Sequence, residues 1–393
     1  MEVSLRATPH TDVARRLLAN VDASTSDQAD QQMKIPVTAY RDPDRWQREL
    51  EQVYRRSPLV VAFSCDVPRP GDFETLEIAE RPVLVVRGDD GVARSFLNVC
   101  RHRGAQVADG CGHARRFTCP YHAWVYDTQG SLVGVAGRET FGDVDITGLI
   151  PLPTHERAGL VLAVLTPGLE FDADQWLDGM GDALAYLRLD ELHRYPVVTE
   201  LESANWKLTA DGYVDGYHLG YLHKGTIGDK SITNRNTYDF FGPHVRIGFA
   251  NKPITSFRDT PVDEWPLPQV MSMVHYVFPN LSISGQPSRP LMVSRLQPGP
   301  TPDKSTTVQW HYYREPVEGD EATAAAEARR TLYAHVTSQE DFVTGFKINR
   351  ALGAIADDCF RFGRNEPANQ NLHSWIDALV DGGAAPAPTD RRQ

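Results

Sequence analysis

Two stretches decide how this chain is read: Cys100-Arg101-His102-Arg103-Gly104, and Cys119-Pro120-Tyr121-His122-Ala123-Trp124, with sixteen residues between His102 and Cys119. Each offers one thiolate and one imidazole from a tight loop, so two such loops facing each other make a four-ligand metal site. Three readings compete. The residues could be ordinary packed or surface side chains that fall close together by chance. They could hold a structural zinc ion, which accepts two thiolates and two imidazoles, although zinc fingers usually order their ligands Cys, Cys, His, His. They could hold a 2Fe–2S cluster with two thiolates on one iron and two imidazoles on the other. The order Cys, His, Cys, His favours the cluster, because each loop then touches both irons. Cys111-Gly112-His113 has the same local form, but only five residues separate His113 from Cys119, too few for two independent loops to face each other. Cys65, Cys111 and Cys359 are then free structural thiols.

Outward from these loops, short β-rich runs alternate with Gly, Pro and Asp turns over 58–131: 59–63, 73–78, 82–87 and 95–99. Asp90-Gly91 between two of them signals a hairpin. Upstream, apolar residues recur at helical spacing over 42–56 (Trp46, Leu50, Val53, Tyr54), and a shorter helix is expected over 13–21. Downstream, 160–165 reads as a buried strand and 174–187 and 205–223 as helices. Runs 270–278, 281–286, 291–297 and 306–314 read as successive antiparallel strands, and 321–350 is helical by pattern. The layout is an all-β unit followed by an α+β unit. The expected divisions are an N-terminal segment with a short helix (1–38), the β domain (39–155), the larger domain (156–381) and a Gly/Ala/Pro-rich flexible tail (382–393).

Composition bounds the function. The 393 residues carry 40 Lys+Arg against 52 Asp+Glu, a net charge of −12, which argues against nucleic acid as the main partner. No run approaches the ~18 apolar residues of a membrane span, and the N-terminus shows no apolar secretory core. Five cysteines at low density suit a reducing compartment. These features predict a cytoplasmic protein with no membrane partner. No G-x-G-x-x-G or Walker pattern is present, so the chain is not expected to take electrons from NAD(P)H by itself.

A second constellation lies in Asp211-Gly212-Tyr213-Val214-Asp215-Gly216-Tyr217-His218-Leu219-Gly220-Tyr221-Leu222-His223. At ~100° per residue, Asp211, Asp215 and His218 fall within about 60° of one another, while His223 lands ~140° from His218. A straight helix would not let both histidines bind one metal. If both do, the helix must bend or break between them, and Gly216 and Gly220 supply the freedom. Two histidines and one carboxylate would leave open positions on a mononuclear iron. The plain alternative is a solvated helix face.

The two loops, with Tyr126-Asp127 and Gly130-Ser131-Leu132 after them, closely resemble the cluster loops of Rieske non-haem iron ring-hydroxylating oxygenases, large (alpha, terminal oxygenase) subunits. The second constellation resembles the D-x-x-H-x-x-x-x-H motif of that family. The resemblance implies an α+β protein: an N-terminal all-β Rieske domain and a helix-grip (START-like) catalytic domain with an antiparallel sheet. It implies Cys100, His102, Cys119 and His122 as 2Fe–2S ligands and His218 and His223 as ligands of a mononuclear Fe(II). Gln339-Glu340-Asp341-Phe342 resembles the segment carrying the third ligand, assigned to Asp341 with Glu340 as its rival, because helical neighbours point ~100° apart. Asp215 is implied as the inter-subunit electron-transfer bridge, with His122 of a neighbouring subunit as its partner. Asp211 stands where some relatives carry an amide, as an orienting group, a substrate contact or a plain helix residue. Asn280, Ser282, Met292 and Phe342 are candidate substrate-lining residues beside Asp211.

The activity so implied is that of a terminal oxygenase. It would use O2 and externally supplied NAD(P)H electrons to mono- or cis-dihydroxylate a small organic substrate, with aromatic compounds the commonest class. Its partners would be a separate reductase, with or without a ferredoxin, and further copies in a homotrimer, with or without a small beta subunit. The alternatives are an oxidative N- or O-demethylase of the same family and a non-redox, zinc-stabilised ligand-binding protein. A pure electron carrier would leave the second metal site unexplained.

Overall fold

The computed structural model describes residues 9–382 except 287, and within it the chain forms two compact units. One is the continuous stretch Leu50–Leu192. The other joins the described residues up to Glu49 to those from His193 onward.

The continuous unit is all-β at its centre. Runs of fully buried Val and Leu, such as Leu59–Phe63 and most of Arg81–Arg87, make strands that cannot face water. A five-stranded antiparallel sheet runs Pro151–Leu152, Ala93–Leu97, Arg81–Arg87, Asp72–Ile78, Cys111–His113. The expected Asp90-Gly91 turn is there, with Gly91 at φ 79°. A small three-stranded sheet, Arg116–Thr118, Val125–Asp127 and Leu132–Gly134, carries the second Cys/His loop in its first hairpin. A third sheet pairs Leu59–Phe63 with Leu160–Ala163 and Thr154–Arg157. The strand at 160 thus belongs to a sheet begun at 59, and the compact unit runs on to Leu192. The single helix expected over 174–187 is two, Ala173–Leu177 and Met180–Ala185, broken where Asp178 and Gly179 both take positive φ.

The discontinuous unit is built on one antiparallel sheet. Its order is Ser231–Phe241, His244–Asn251, Met271–Val277, Leu281–Ser284, Leu291–Pro298, Ser305–Tyr313, with His193–Arg194 and Thr199–Ser203 both pairing the last strand. The expected strands at 270–278, 281–286, 291–297 and 306–314 are four of these. Segment 1–38 is not a separate appendage. Helix Pro9–Asp22 packs Val13, Ala14 and Leu17 against Ala250, Met271 and Met273 of the sheet, and Met33–Pro36 pairs with Cys359–Phe362. The helix expected over 321–350 is Asp320–His335 and Phe342–Ala351, joined without a break by a π-helical turn, Val336–Asp341. The tail expected over 382–393 lies, beyond Gly382, outside the described residues. Among the described residues no helix is long and apolar enough to cross a membrane.

Candidate metal centres

The four residues of the first constellation come together in the continuous unit. Cys100 and Cys119 are buried members of its core with Phe117, Trp124 and Tyr126, and neither forms a disulfide. Each loop closes on its own backbone. In the first, Gly104 N donates to Cys100 O (2.9 Å) and Cys100 N to Ala105 O (2.7 Å); in the second, Ala123 N donates to Cys119 O (3.0 Å) and Cys119 N to Trp124 O (2.8 Å). Gly104 and Ala123 turn these loops at φ 82° and 55°. The rings of His102 and His122 stand 4.5 Å apart, with His102 stacked on Trp124. Burial, and then the neighbouring His122 and Arg103, hold His102 below the ordinary imidazole range. Tyr126 Oη accepts the Arg101 amide (3.0 Å) and lies 3.4 Å from Cys100 Sγ. Cys111 and His113 sit apart on an exposed strand, His113 Nδ1 being 3.0 Å from Asp72 Oδ1.

The second constellation comes together in the discontinuous unit. Helix Trp206–Val214 is capped by the Asn205 side chain on Lys207 N and stops at Asp215, whose backbone is extended (φ −84°, ψ 120°). A four-residue helix, Leu219–Leu222, follows, with His218 at its start and His223 at its end. The chain does leave the helix within 211–223, but at 215–218, before His218; between the two histidines it is helical and not broken. The two glycines serve close approach rather than flexibility. A Cβ on Gly216 would sit 2.2 Å from Asn236 Nδ2, and one on Gly220 1.7 Å from Thr233 Oγ1, both on the strand behind.

At the two ends of this short helix the imidazoles face each other, with Nε2 to Nε2 at 3.2 Å. Asp341 Oδ1 is 3.1 Å from His223 Nε2 and 3.7 Å from His218 Nε2, and the three donor groups lie within 4.8 Å of one another. Both outer nitrogens are held by carboxylates: His218 Nδ1 donates to Asp215 Oδ2 (2.9 Å) and His223 Nδ1 to Glu340 Oε2 (2.5 Å). Burial of His223 lowers its pKa, but Asp341 and Glu340 outweigh this and leave it raised. The π-helical turn Val336–Asp341 brings Glu340 and Asp341 to opposite sides of His223. Both acids therefore reach His223, Glu340 at Nδ1 and Asp341 at Nε2.

Comparison with known proteins agrees in both halves. Residues 57–147 match the family model "Rieske [2Fe-2S] domain", and 187–382 match "Ring hydroxylating alpha subunit (catalytic domain)". The chain belongs to the Rieske-type ring-hydroxylating alpha subunits. Among relatives of this alpha subunit, the carnitine monooxygenase oxygenase subunit of Escherichia coli (strain K12) is 34% identical over 57% of this chain and 61% of its own length. The chlorobenzene dioxygenase subunit alpha of a Cupriavidus strain is 37% identical over 46% and 42%. The matches thus span under two thirds of these relatives' length. A crystal structure of a quaternary ammonium Rieske monooxygenase with L-carnitine superposes with a TM-score of 0.74 at 20% identity, covering 96% of this chain and all of that one. That superposition shows the fold.

Rieske-type alpha subunits carry a 2Fe–2S cluster and a mononuclear iron, and the donor sets fit both. In the continuous unit, His102 Nδ1 and His122 Nδ1 are buried with no hydrogen-bond partner, beside two buried thiols outside any disulfide. Such orphaned atoms need an explanation, and a cluster bound through them supplies one. In the other unit, carboxylates claim the Nδ1 protons, so two Nε2 lone pairs and a carboxylate oxygen converge with no proton needed between them. Both rings are thereby set as metal donors.

Asp211 lies within a network the sequence did not reveal. Tyr40 donates to its Oδ2 (2.8 Å), His373 Nε2 is 2.9 Å from its Oδ1, and Asn369 Nδ2 is 3.1 Å from its carbonyl and 3.3 Å from Oδ1. Tyr40 and His373 are buried and come from opposite ends of the chain. Nearby, Glu49 accepts from buried Lys207 (2.5 Å) and Trp206 (3.0 Å). A cavity of about 410 Å³ opens beside the iron site, walled in part by Asp211, Asp215, Asp341, Phe342, Phe360 and Glu366. Of the five expected substrate-lining residues, Asp211 and Phe342 line it. Asn280, Ser282 and Met292 are buried in the sheet region and do not. A larger hollow of about 620 Å³, near Lys304 and Arg350, contains none of the three converging groups.

Proposed function

We propose that this chain is the terminal oxygenase of a Rieske non-haem iron system, with Cys100, His102, Cys119 and His122 holding the 2Fe–2S cluster and His218, His223 and Asp341 holding the iron. The observation that carries the reading is the convergence of His218 Nε2, His223 Nε2 and Asp341 Oδ1 on one point. Two imidazoles and one carboxylate on one face are a donor set that leaves coordination positions open. When bound, the two groups supply one-electron storage and O2 activation. The chain's own residues do the rest. Asp215 orients His218 through Nδ1 and bridges to His122 of a neighbouring copy in a homotrimer, the path by which electrons arrive. A separate NAD(P)H reductase, with or without a ferredoxin, feeds the cluster.

The cavity supports a substrate with a cationic nitrogen. Its wall sets the carboxylates of Asp211, Asp215, Asp341 and Glu366 beside the rings of Phe342, Phe360 and Phe362, a lining that favours cations. Burial already raises the Glu366 pKa, and the nearby Asp215 and Asp211 charges add to the rise; a bound cation would relieve that crowding. Relatives named for carnitine and glycine betaine fit this reading, and oxygenation of an N-methyl carbon would make it a demethylase. The chlorobenzene relative and the apolar part of the wall (Leu208, Leu222, Ile348) keep an arene as the second reading.

The test is reconstitution with a surrogate reductase and a panel of carnitine, glycine betaine and chlorobenzene, read by product mass and O2 uptake. Quaternary amines are expected to be consumed with coupled O2 uptake. Turnover of the arene alone would replace the cationic reading. A colourless protein lacking acid-labile sulfide would overturn the oxygenase reading. Asp215→Ala is expected to retain both metals, by metal analysis and cluster absorbance, while losing turnover. Near-normal turnover would refute the bridge.

A further inference from the structure

We propose that Glu340 is a positioning residue for the iron site: it fixes the tautomer and orientation of His223 so that Nε2 faces the metal as a lone pair. The inference rests on the reading of His218, His223 and Asp341 as iron ligands. His223 is 2% exposed, and its two nitrogens meet different acids. Nδ1 is 2.5 Å from Glu340 Oε2, and Nε2 is 3.1 Å from Asp341 Oδ1. A neutral imidazole has one proton to give. Given to Asp341, it would lie between Nε2 and the carboxylate and close the site to a cation. Given to Glu340, it leaves Nε2 and Asp341 both as donors to metal. The acid on the Nδ1 side therefore selects which arrangement the ring adopts.

Glu340 is itself held for this task. Thr226 Oγ1 lies 3.0 Å from the same Oε2 and also 3.0 Å from the His223 carbonyl. The ring of His223, Glu340, Thr226 and the His223 backbone thus lie in one circuit; the single Thr226 hydroxyl proton has two acceptors in reach, and donated to Oε2 it steadies the carboxylate. Within the π-helical turn, Glu340 and Asp341 meet opposite nitrogens of one imidazole. Asp215 does not duplicate the function, since it is engaged by His218 Nδ1 (2.9 Å) and the Tyr217 amide (2.5 Å).

The test is Fe(II) affinity of protein stripped of its mononuclear iron but retaining the cluster, measured anaerobically by competition with a chromogenic chelator. Wild type, Thr226→Val, Glu340→Gln and Glu340→Leu are compared. Glu340→Gln, which keeps the shape and an amide oxygen acceptor, is expected to bind iron about 10–100-fold more weakly. Glu340→Leu should be weaker still, and Thr226→Val weaker than wild type by a smaller factor. Cluster absorbance and the unfolding temperature of the iron-free protein should stay at wild-type values. Iron affinity within about twofold of wild type in both Glu340 variants overturns the proposal. So does loss confined to stability, with the folded fraction binding normally. If either Glu340 variant does not fold, unchanged affinity in Thr226→Val overturns the circuit. A wild type that binds no Fe(II) would instead overturn the reading of the ligands.

Discussion

With Cys100 as a cluster ligand, as proposed, Tyr126 is placed to tune the potential of that centre. Its hydroxyl accepts the Arg101 amide and is left to donate to the Cys100 sulfur at 3.4 Å. A hydrogen bond to a thiolate stabilises the more negative, reduced cluster, so it raises the potential. Tyr126→Phe should lower the potential by about 40 mV if the bond contributes about 1 kcal/mol, as measured by redox titration of the cluster signal. An unchanged potential would show the contact to be idle. His311 makes a different point. It is 2% exposed, and burial, with Arg329 and Arg330 nearby, depresses its pKa to about 4. The unfolded chain, with a pKa of about 6.5, binds the proton that the native state refuses. Stability should therefore fall as pH drops from 6.5 toward 4, by roughly 3 kcal/mol from this residue alone. His311→Gln should flatten that slope in denaturant titrations across the window; an unaltered slope would exclude His311 as a cause.

At the scale of elements, the break at 215–218 and the π-helical turn at 336–341 perform the same operation. Each departs from 3.6 residues per turn where donors must be gathered. The first was legible only as a departure from a straight helix over 211–223: the ~140° between His218 and His223 placed it between the histidines, whereas it comes before His218. The second was not: Gln339-Glu340-Asp341 gives no local sign that the helix will widen there. The role of the glycines was also hidden, because it depends on a strand some dozen residues away. A methyl on Gly220 would meet Thr233 Oγ1 at 1.7 Å and Thr233 Cβ at 2.8 Å. Gly220→Ala should cost about 1–3 kcal/mol and reduce bound mononuclear iron. Adding Thr233→Ala should restore much of both, as judged by thermal unfolding and iron analysis. Failure of the second change to rescue would point to backbone freedom at 220. Strand His244–Asn251 escaped the reading because every residue in it is buried, including His244, Arg246 and Asn251, so no apolar-polar alternation marks it. The Cys/His loops needed no tertiary information, since their ligands lie within a few residues of one another.

At the scale of the whole molecule, the larger unit is discontinuous, and this is what the sequence concealed most fully. Reading forward, 1–38 looks like a preamble. In the fold it supplies a helix that covers the sheet and a strand that pairs with Cys359–Phe362, and just past it Tyr40 reaches Asp211 beside the iron site. His373, from helix Pro367–Asp381, completes that network. The candidate donors could be listed from the sequence, but the Asp211 network behind them could not, because Tyr40 and His373 are more than 300 residues apart. That separation also sets an order of events during synthesis. The stretch Leu50–Leu192 is continuous and can fold as soon as it has left the ribosome. Of the residues before it, although made first, helix Pro9–Asp22 must wait for the sheet as far as Met273, and strand Met33–Pro36 and Tyr40 for Cys359–Phe362 and His373. The iron enclosure is therefore among the last parts of the newborn protein to close, after the pocket for the cluster has formed.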